Sequence, residues 1–134
     1  MINQAHDNDW IVTGSCKQDI DGLVKDHVYT IMGALKLTDD NGINWELLKM
    51  RNPWGAEVYR GPWSDKDHAR WTDTMKAQVG HTQGDDGIFL IPLDIFHQAF
   101  YFYIVGMYQD WETSTFSNTG NAQFHIKTFY SIVD

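Results

Sequence analysis

The chain has 134 residues, a formal net charge of −8, 43% hydrophobic and 14% aromatic content. That length suits one domain with its own packed core. The acidic balance disfavours binding to a nucleic-acid backbone, which needs a basic surface. No stretch of about 18 apolar residues is present to span a membrane, and the first twenty residues lack the basic-then-apolar order of a signal peptide. With one cysteine, Cys16, no internal disulfide can form, which fits a reducing, cytoplasmic setting.

In chain order, Met1 to Asp9 is polar and reads as a frayed start. Trp10 to Cys16 reads as a short strand, and Lys17 to Asp26, with Gly22, as a loop. His27 to Leu37 is the first long strand. Asp39-Asp40-Asn41-Gly42 signals a turn, and Ile43 to Arg51 is the return strand. Asn52-Pro53-Trp54-Gly55 ends it, because Pro53 cannot donate to a sheet ladder. Pro53 to Gly87 is irregular, with one or two helical turns over Trp71 to Val79. Ile88 to Ile91 is a strand. Pro92 to Phe100 is a short helix with apolar residues at 93, 96 and 100. Tyr101 to Tyr108 is an apolar strand. A polar linker from Ser114 to Asn121 precedes a last strand over Gln123 to Val133. The fold class is mainly β (α+β): twisted antiparallel sheets with one or two short helices.

Side chains alternate along a strand, so His27, Tyr29 and Ile31 share one face, and Leu48, Met50 and Asn52 share another. A loop of even length between the two strands puts both sets on the same side. A two-residue turn at Asn41-Gly42 sets Asn52 opposite Ile31. A four-residue loop from Thr38 to Asn41 sets it opposite His27, and a bulge is a third route. A histidine beside an asparagine is a base held in one tautomer. The amide oxygen accepts the second ring N–H and adds no charge, while the free nitrogen serves a nucleophile such as a thiol. Trp54 is placed to cover that pair. Spacing alone leaves open a plainer reading, with His27 a strand-start residue and Asn52 a turn residue.

Four segments carry a family resemblance. Gly22-Leu23-Val24-Lys25-Asp26-His27-Val28-Tyr29 resembles the histidine segment of the calpain family, and Arg51-Asn52-Pro53-Trp54-Gly55 is similar to its asparagine box. Gly61-Pro62-Trp63-Ser64-Asp65 resembles its Gly-x-Trp-Ser/Asn-Asp. Asp86-Gly87-x-Phe89 with Asp94-x-Phe96 resembles its Asp-Gly-x-Phe…Asp-Phe stretch. The four occur in the family's order and cover roughly residues 14 to 108.

The resemblance implies the second half of a papain-like cysteine endopeptidase core over residues 1–112, with 113–134 a linker and a final strand or the start of a following domain. It implies His27 as catalytic base, Asn52 as its orienting residue and Trp54 as the supporting tryptophan. The nucleophile's Gln…Gly-x-Cys-Trp box belongs to the first half of the core and does not occur here. Cys16 reads as a small buried residue. The implied partners are therefore an N-terminal half bearing the cysteine, and protein substrates; the chain alone is expected to be inactive. The family's calcium site in this half uses acidic side chains near the Asn-Pro-Trp-Gly and Asp-Gly-x-Phe segments. Asp65 and Asp86 match it. Val58 and Ile88 stand where it has glutamates, and Glu57 would point to the other face of an extended stretch. Two further readings compete: a calpain-like scaffold without catalysis, and a β module using Trp54, Trp63 and Trp71 as a carbohydrate platform.

Overall fold

The computed structural model describes residues 1–107. The expected strand over Gln123 to Val133 and the boundary after residue 112 lie outside them. The elements are α1 (Ile2–Asp7), β1 (Ile11–Cys16), β2 (Val28–Thr38), β3 (Asn44–Arg51), α2 (Asp73–Val79), β4 (Ile88–Pro92), α3 (Leu93–Ala99) and β5 (Phe100–Gly106). The strands form one sheet in the order β4-β3-β2-β1-β5, with every neighbouring pair antiparallel. The mainly β, α+β expectation holds, with three short helices among the described residues rather than one or two.

The β2–β3 hairpin uses neither of the two even loops. Its loop is Asp40-Asn41-Gly42, closed by Asp39 N–H donating to the Ile43 carbonyl and Gly42 N–H donating to the Asp39 carbonyl, both at 2.9 Å. Gly42 sits at φ 78°, the left-handed position that ends a three-residue loop. The Asp39 carboxylate pins the turn, accepting from Asn41 N–H, Ile43 N–H and the Trp45 indole, each at 2.9 Å. This odd loop pairs Thr38 with Asn44 and Gly33 with Lys49. Continued without interruption, it would carry Asn52 opposite Thr30, on the face away from Tyr29. A bulge between Ile31 and Gly33 skips Met32, so Ile31 meets Met50 and Thr30 meets Arg51. Asn52 is thereby brought level with Tyr29.

The sheet buries both faces, and the bulge switches β2 from one core to the other. On one face Tyr29, Ile31, Leu48, Met50, Phe89 and Ile91 pack with Phe96 and Phe100. On the other, Leu37, Leu47 and Leu90 pack with Trp63, Trp71 and Met75 from the 53–87 region. That region has little regular structure because it wraps this second core. Its one helix, α2, starts at Thr72, whose hydroxyl accepts from Met75 N–H, and stops at Gly80 with φ 61°.

The expectation of a frayed start at Met1 to Asp9 is corrected by α1. Local composition gives it little support, since helices this short depend on tertiary contacts. Those contacts are a fully buried Ala5 and the Asn3 side chain, whose Oδ1 accepts from Ala34 N–H at 2.8 Å, two residues past the bulge.

The loop before β2 docks on the 53–60 stretch by close backbone approach. Arg60 N–H donates to the Asp21 carbonyl, and a Cβ at Gly22 (φ +88°) would lie 1.9 Å from the Val58 carbonyl oxygen. Gly22→Ala is therefore expected to lower stability by about 2–4 kcal/mol through combined backbone strain and overlap. Gly84→Ala, with open space at its Cβ, should stay within roughly 0.5 kcal/mol of the parent. Urea denaturation of the two variants measures the difference.

Candidate active site

Three sequence-predicted residues meet at the end of the hairpin. Asn52 is fully buried. Its N–H donates to the Gly87 carbonyl at 2.8 Å, and Gly55 N–H donates to its carbonyl at 3.0 Å. Gly87 must be glycine for this: it sits at φ +82°, and a Cβ there would lie 2.9 Å from the Asn52 carbonyl oxygen. The side-chain amide is equally fixed. Nδ2 donates to the Ala56 carbonyl at 2.9 Å, so Oδ1 is the atom that faces the other way. Oδ1 accepts from Trp54 N–H at 3.2 Å and lies 2.9 Å from His27 Nε2.

That contact sets the histidine tautomer. Oδ1 only accepts, so Nε2 carries the proton and Nδ1 of the neutral ring keeps its lone pair. Nδ1 has no hydrogen-bond partner among the described residues. The ring is held on two further sides. Trp54 lies across it at 4.2 Å between centroids and 33° between planes, and Tyr29 meets it edge-on at 4.7 Å. Tyr29 is fully buried, and its hydroxyl accepts from Val24 N–H at 3.1 Å, which ties the loop leading to His27 into the core. Trp54 itself is 61% exposed, so its outer face meets solvent.

A histidine fixed in one tautomer by a buried asparagine, with its other ring nitrogen free, is an arrangement able to serve as a general base. The sequence profile of the calpain family of cysteine proteases matches residues 2–106. The chain belongs to the calpain family. Calpain-9 of Rattus norvegicus is 37% identical over 81 residues, which is 59% of this chain and 12% of that protein. Calpain clp-1 of Caenorhabditis elegans is 39% identical over 83 residues, 59% of this chain and 10% of that protein. The calpain-type cysteine protease DEK1 of Arabidopsis thaliana is 37% identical over 70 residues, 51% of this chain and 3% of that protein. This calpain-family chain therefore spans a small part of the relatives it matches.

The acidic residues are arranged differently from the metal set that the resemblance implies. Asp65 is 5% exposed and both its oxygens are engaged: Oδ1 with His81 Nε2 at 2.8 Å and Oδ2 with Gly84 N–H at 2.7 Å. Asp86 Oδ1 accepts from Ile88 N–H at 2.8 Å. Val58 and Ile88 bring no side-chain oxygen. Among the described residues no group of three or more His, Cys, Asp or Glu is arranged to hold a metal ion. Calcium takes about six to eight oxygens, and these residues do not fit it.

Glu57 is buried, and its Oε1 accepts from Asp65 N–H at 2.7 Å. Burial pushes its carboxyl up to about 7; the Asp65 N–H and the Lys66 charge pull the other way, and the Asp65 and Asp85 charges add to the rise. Trp63 and Trp71 are 1% and 4% exposed and packed edge-to-face at 4.9 Å. They are core, so the carbohydrate platform loses two of its three tryptophans.

His81 was not singled out by the sequence. It follows the Gly80 helix stop, and nothing in the spacing links it to Asp65. No helix among the described residues is long and apolar enough to cross a membrane.

Cys16 is fully buried, with Sγ donating to the Gln18 carbonyl at 3.2 Å. Burial pushes its thiol up, helped by the charges of Asp19 and Asp26 and opposed by the Gln18 hydrogen bond. A buried thiol with a raised pKa is a poor nucleophile. In the folded chain Cys16 should resist iodoacetamide at pH 7 over a time in which the urea-unfolded chain is fully alkylated. Mass spectrometry of the two samples reads the difference.

Proposed function

We propose that this chain supplies the general base and its orienting amide to a calpain-like cysteine endopeptidase. The nucleophilic cysteine and the oxyanion donors come from the N-terminal half of the protease core. The single observation that carries this reading is the hydrogen bond from His27 Nε2 to a fully fixed Asn52 Oδ1, in a chain of a cysteine protease family. With the proton held on Nε2, the Nδ1 lone pair takes the proton of an incoming thiol, and the thiolate attacks the peptide carbonyl. The imidazolium then returns that proton to the leaving amine. Asn52 accepts from Nε2 throughout and, being neutral, does not anchor the proton on the ring. Trp54 shields the bond from water on one side.

On this reading residues 1–112 form the C-terminal half of the core, and 113–134 lead out of it. The substrates are proteins, and the single buried, unpaired cysteine suits a reducing, cytoplasmic setting. Acyl transfer needs both a nucleophile and an oxyanion site, so the isolated chain is expected to cleave nothing.

The experiment is casein hydrolysis by the complete core, with its own N-terminal half, and by the 134-residue chain alone. In the complete core His27→Ala should abolish activity, and Asn52→Ala should lower kcat/KM by about 10²-fold through lost orientation of the base. Cleavage by the isolated chain that Cys16→Ser removes would overturn the reading. A complete core without the Gly-x-Cys-Trp box, inert but retaining protein binding, would favour a scaffold instead.

A further inference from the structure

Behind Asn52, the stretches 53–67 and 80–88 are joined by side chains rather than by a sheet. Asp65 accepts from His81 and Gly84 as above, and its carbonyl accepts from the Gln83 side chain. Glu57 Oε1 takes the Asp65 N–H, and Asp85 Oδ1 takes the Glu57 N–H at 2.8 Å. The His81 ring lies against Trp71 at 4.4 Å and 31°, and the Trp71 indole donates to the Ser64 carbonyl at 2.9 Å.

One peptide unit connects this network to the active site. The Glu57 N–H gripped by Asp85 and the Ala56 carbonyl that receives Asn52 Nδ2 belong to the same amide. That amide is planar and trans, so its N–H and C=O point in opposite directions and cannot turn independently. Fixing the N–H toward Asp85 aims the carbonyl at Asn52, and Asn52 in turn fixes His27.

We propose that Asp85, Glu57, Asp65 and His81 form a metal-free positioning network acting on His27 through the Ala56–Glu57 peptide and Asn52. It joins, without an ion, the two loops where the family resemblance implies calcium. The four are positioning residues, and the proposal rests on the reading of His27 as base and Asn52 as its orienting residue. The donor set agrees: each Asp65 oxygen has a protein donor, and the two positions that would bring further carboxylates are Val58 and Ile88. The neighbouring loop closes the gap with the His81 ring N–H and the Gly84 backbone N–H, which hydrogen-bond a carboxylate where a cation otherwise would.

The test is NMR of the ¹⁵N-labelled 134-residue chain, read at the His27 ring nitrogens and the Asn52 side-chain amide. Asp85→Ala is at an exposed position and removes the grip on the Glu57 N–H together with the charge that helps raise the Glu57 carboxyl. It should speed exchange of the Asn52 side-chain amide by about tenfold and reduce the difference between the two His27 ring nitrogens. Asp85→Asn, which keeps the acceptor, should restore both. His81→Phe keeps a ring against Trp71 but loses the donor to Asp65; it should lower Tm and move the same signals. Ala5→Gly, in α1, serves as a control of similar Tm loss that leaves them in place. Unmoved signals in Asp85→Ala and His81→Phe would reduce the network to a structural brace and overturn the proposal. Calcium at millimolar concentration should change neither Tm nor these signals. Saturation at micromolar calcium with shifts at Asp65 and Asp86 would overturn its metal-free character. None of these readouts involves a substrate, so they fail or succeed separately from the activity of the complete core.

Discussion

Side chains on a strand alternate faces, so a change of one residue in register moves a whole row to the other side of a sheet. In this chain the three-residue Asp40-Asn41-Gly42 loop sets the wrong parity for His27 and Asn52, and the bulge at Met32 restores it. Beyond the bulge, Leu35 and Leu37 face one core; before it, Tyr29 and Ile31 face the other. A hairpin of uniform register could serve either the Trp63 core or the His27–Asn52 contact, not both. The helix α1 stands where this correction is made, with Asn3 accepting from Ala34 N–H.

Given the register, precision at the site comes from backbone rather than from long side chains. Asn52 is held by Gly87, Gly55 and Ala56 through main-chain atoms, and the 53–60 stretch is in turn fitted to the Gly22 loop that leads to His27. Close approach of this kind needs glycine at Gly22 and Gly87, where a Cβ would meet a carbonyl oxygen. The outcome is an amide whose orientation is fixed by two acceptances at Oδ1 and one donation from Nδ2. A histidine beside it has one orientation and one tautomer.

The acidic residues near the site follow a different logic from solvated surface charge. Burying a carboxylate is costly unless its oxygens are hydrogen-bonded. Asp65 meets that demand with His81 and Gly84, and Glu57 meets part of it with the Asp65 N–H, its raised pKa recording the remainder. Where the family resemblance implies acids awaiting an ion, this chain has an apolar valine and isoleucine and a carboxylate already supplied with donors.

By itself the sequence determined the β-rich class, the order of strands and helices from β1 to β5, the buried character of Cys16, and the motifs around His27, Asn52 and Trp54. These are local properties: alternation, turn chemistry and short segments in a fixed order. The calpain family profile matches residues 2–106, a range that holds all four segments. Tertiary structure decided the rest. Neither even-loop register occurs; a three-residue loop and a bulge, the third route the spacing left open, together set parity, and the position of the bulge leaves no mark in composition. The helix at Ile2–Asp7 exists by packing on the sheet, not by propensity. Trp63 and Trp71 turned out to be core because the irregular 53–87 stretch folds over the far face of the sheet. The pairing of His81 with Asp65 spans sixteen residues and depends on where two loops dock, which no spacing in the chain encodes.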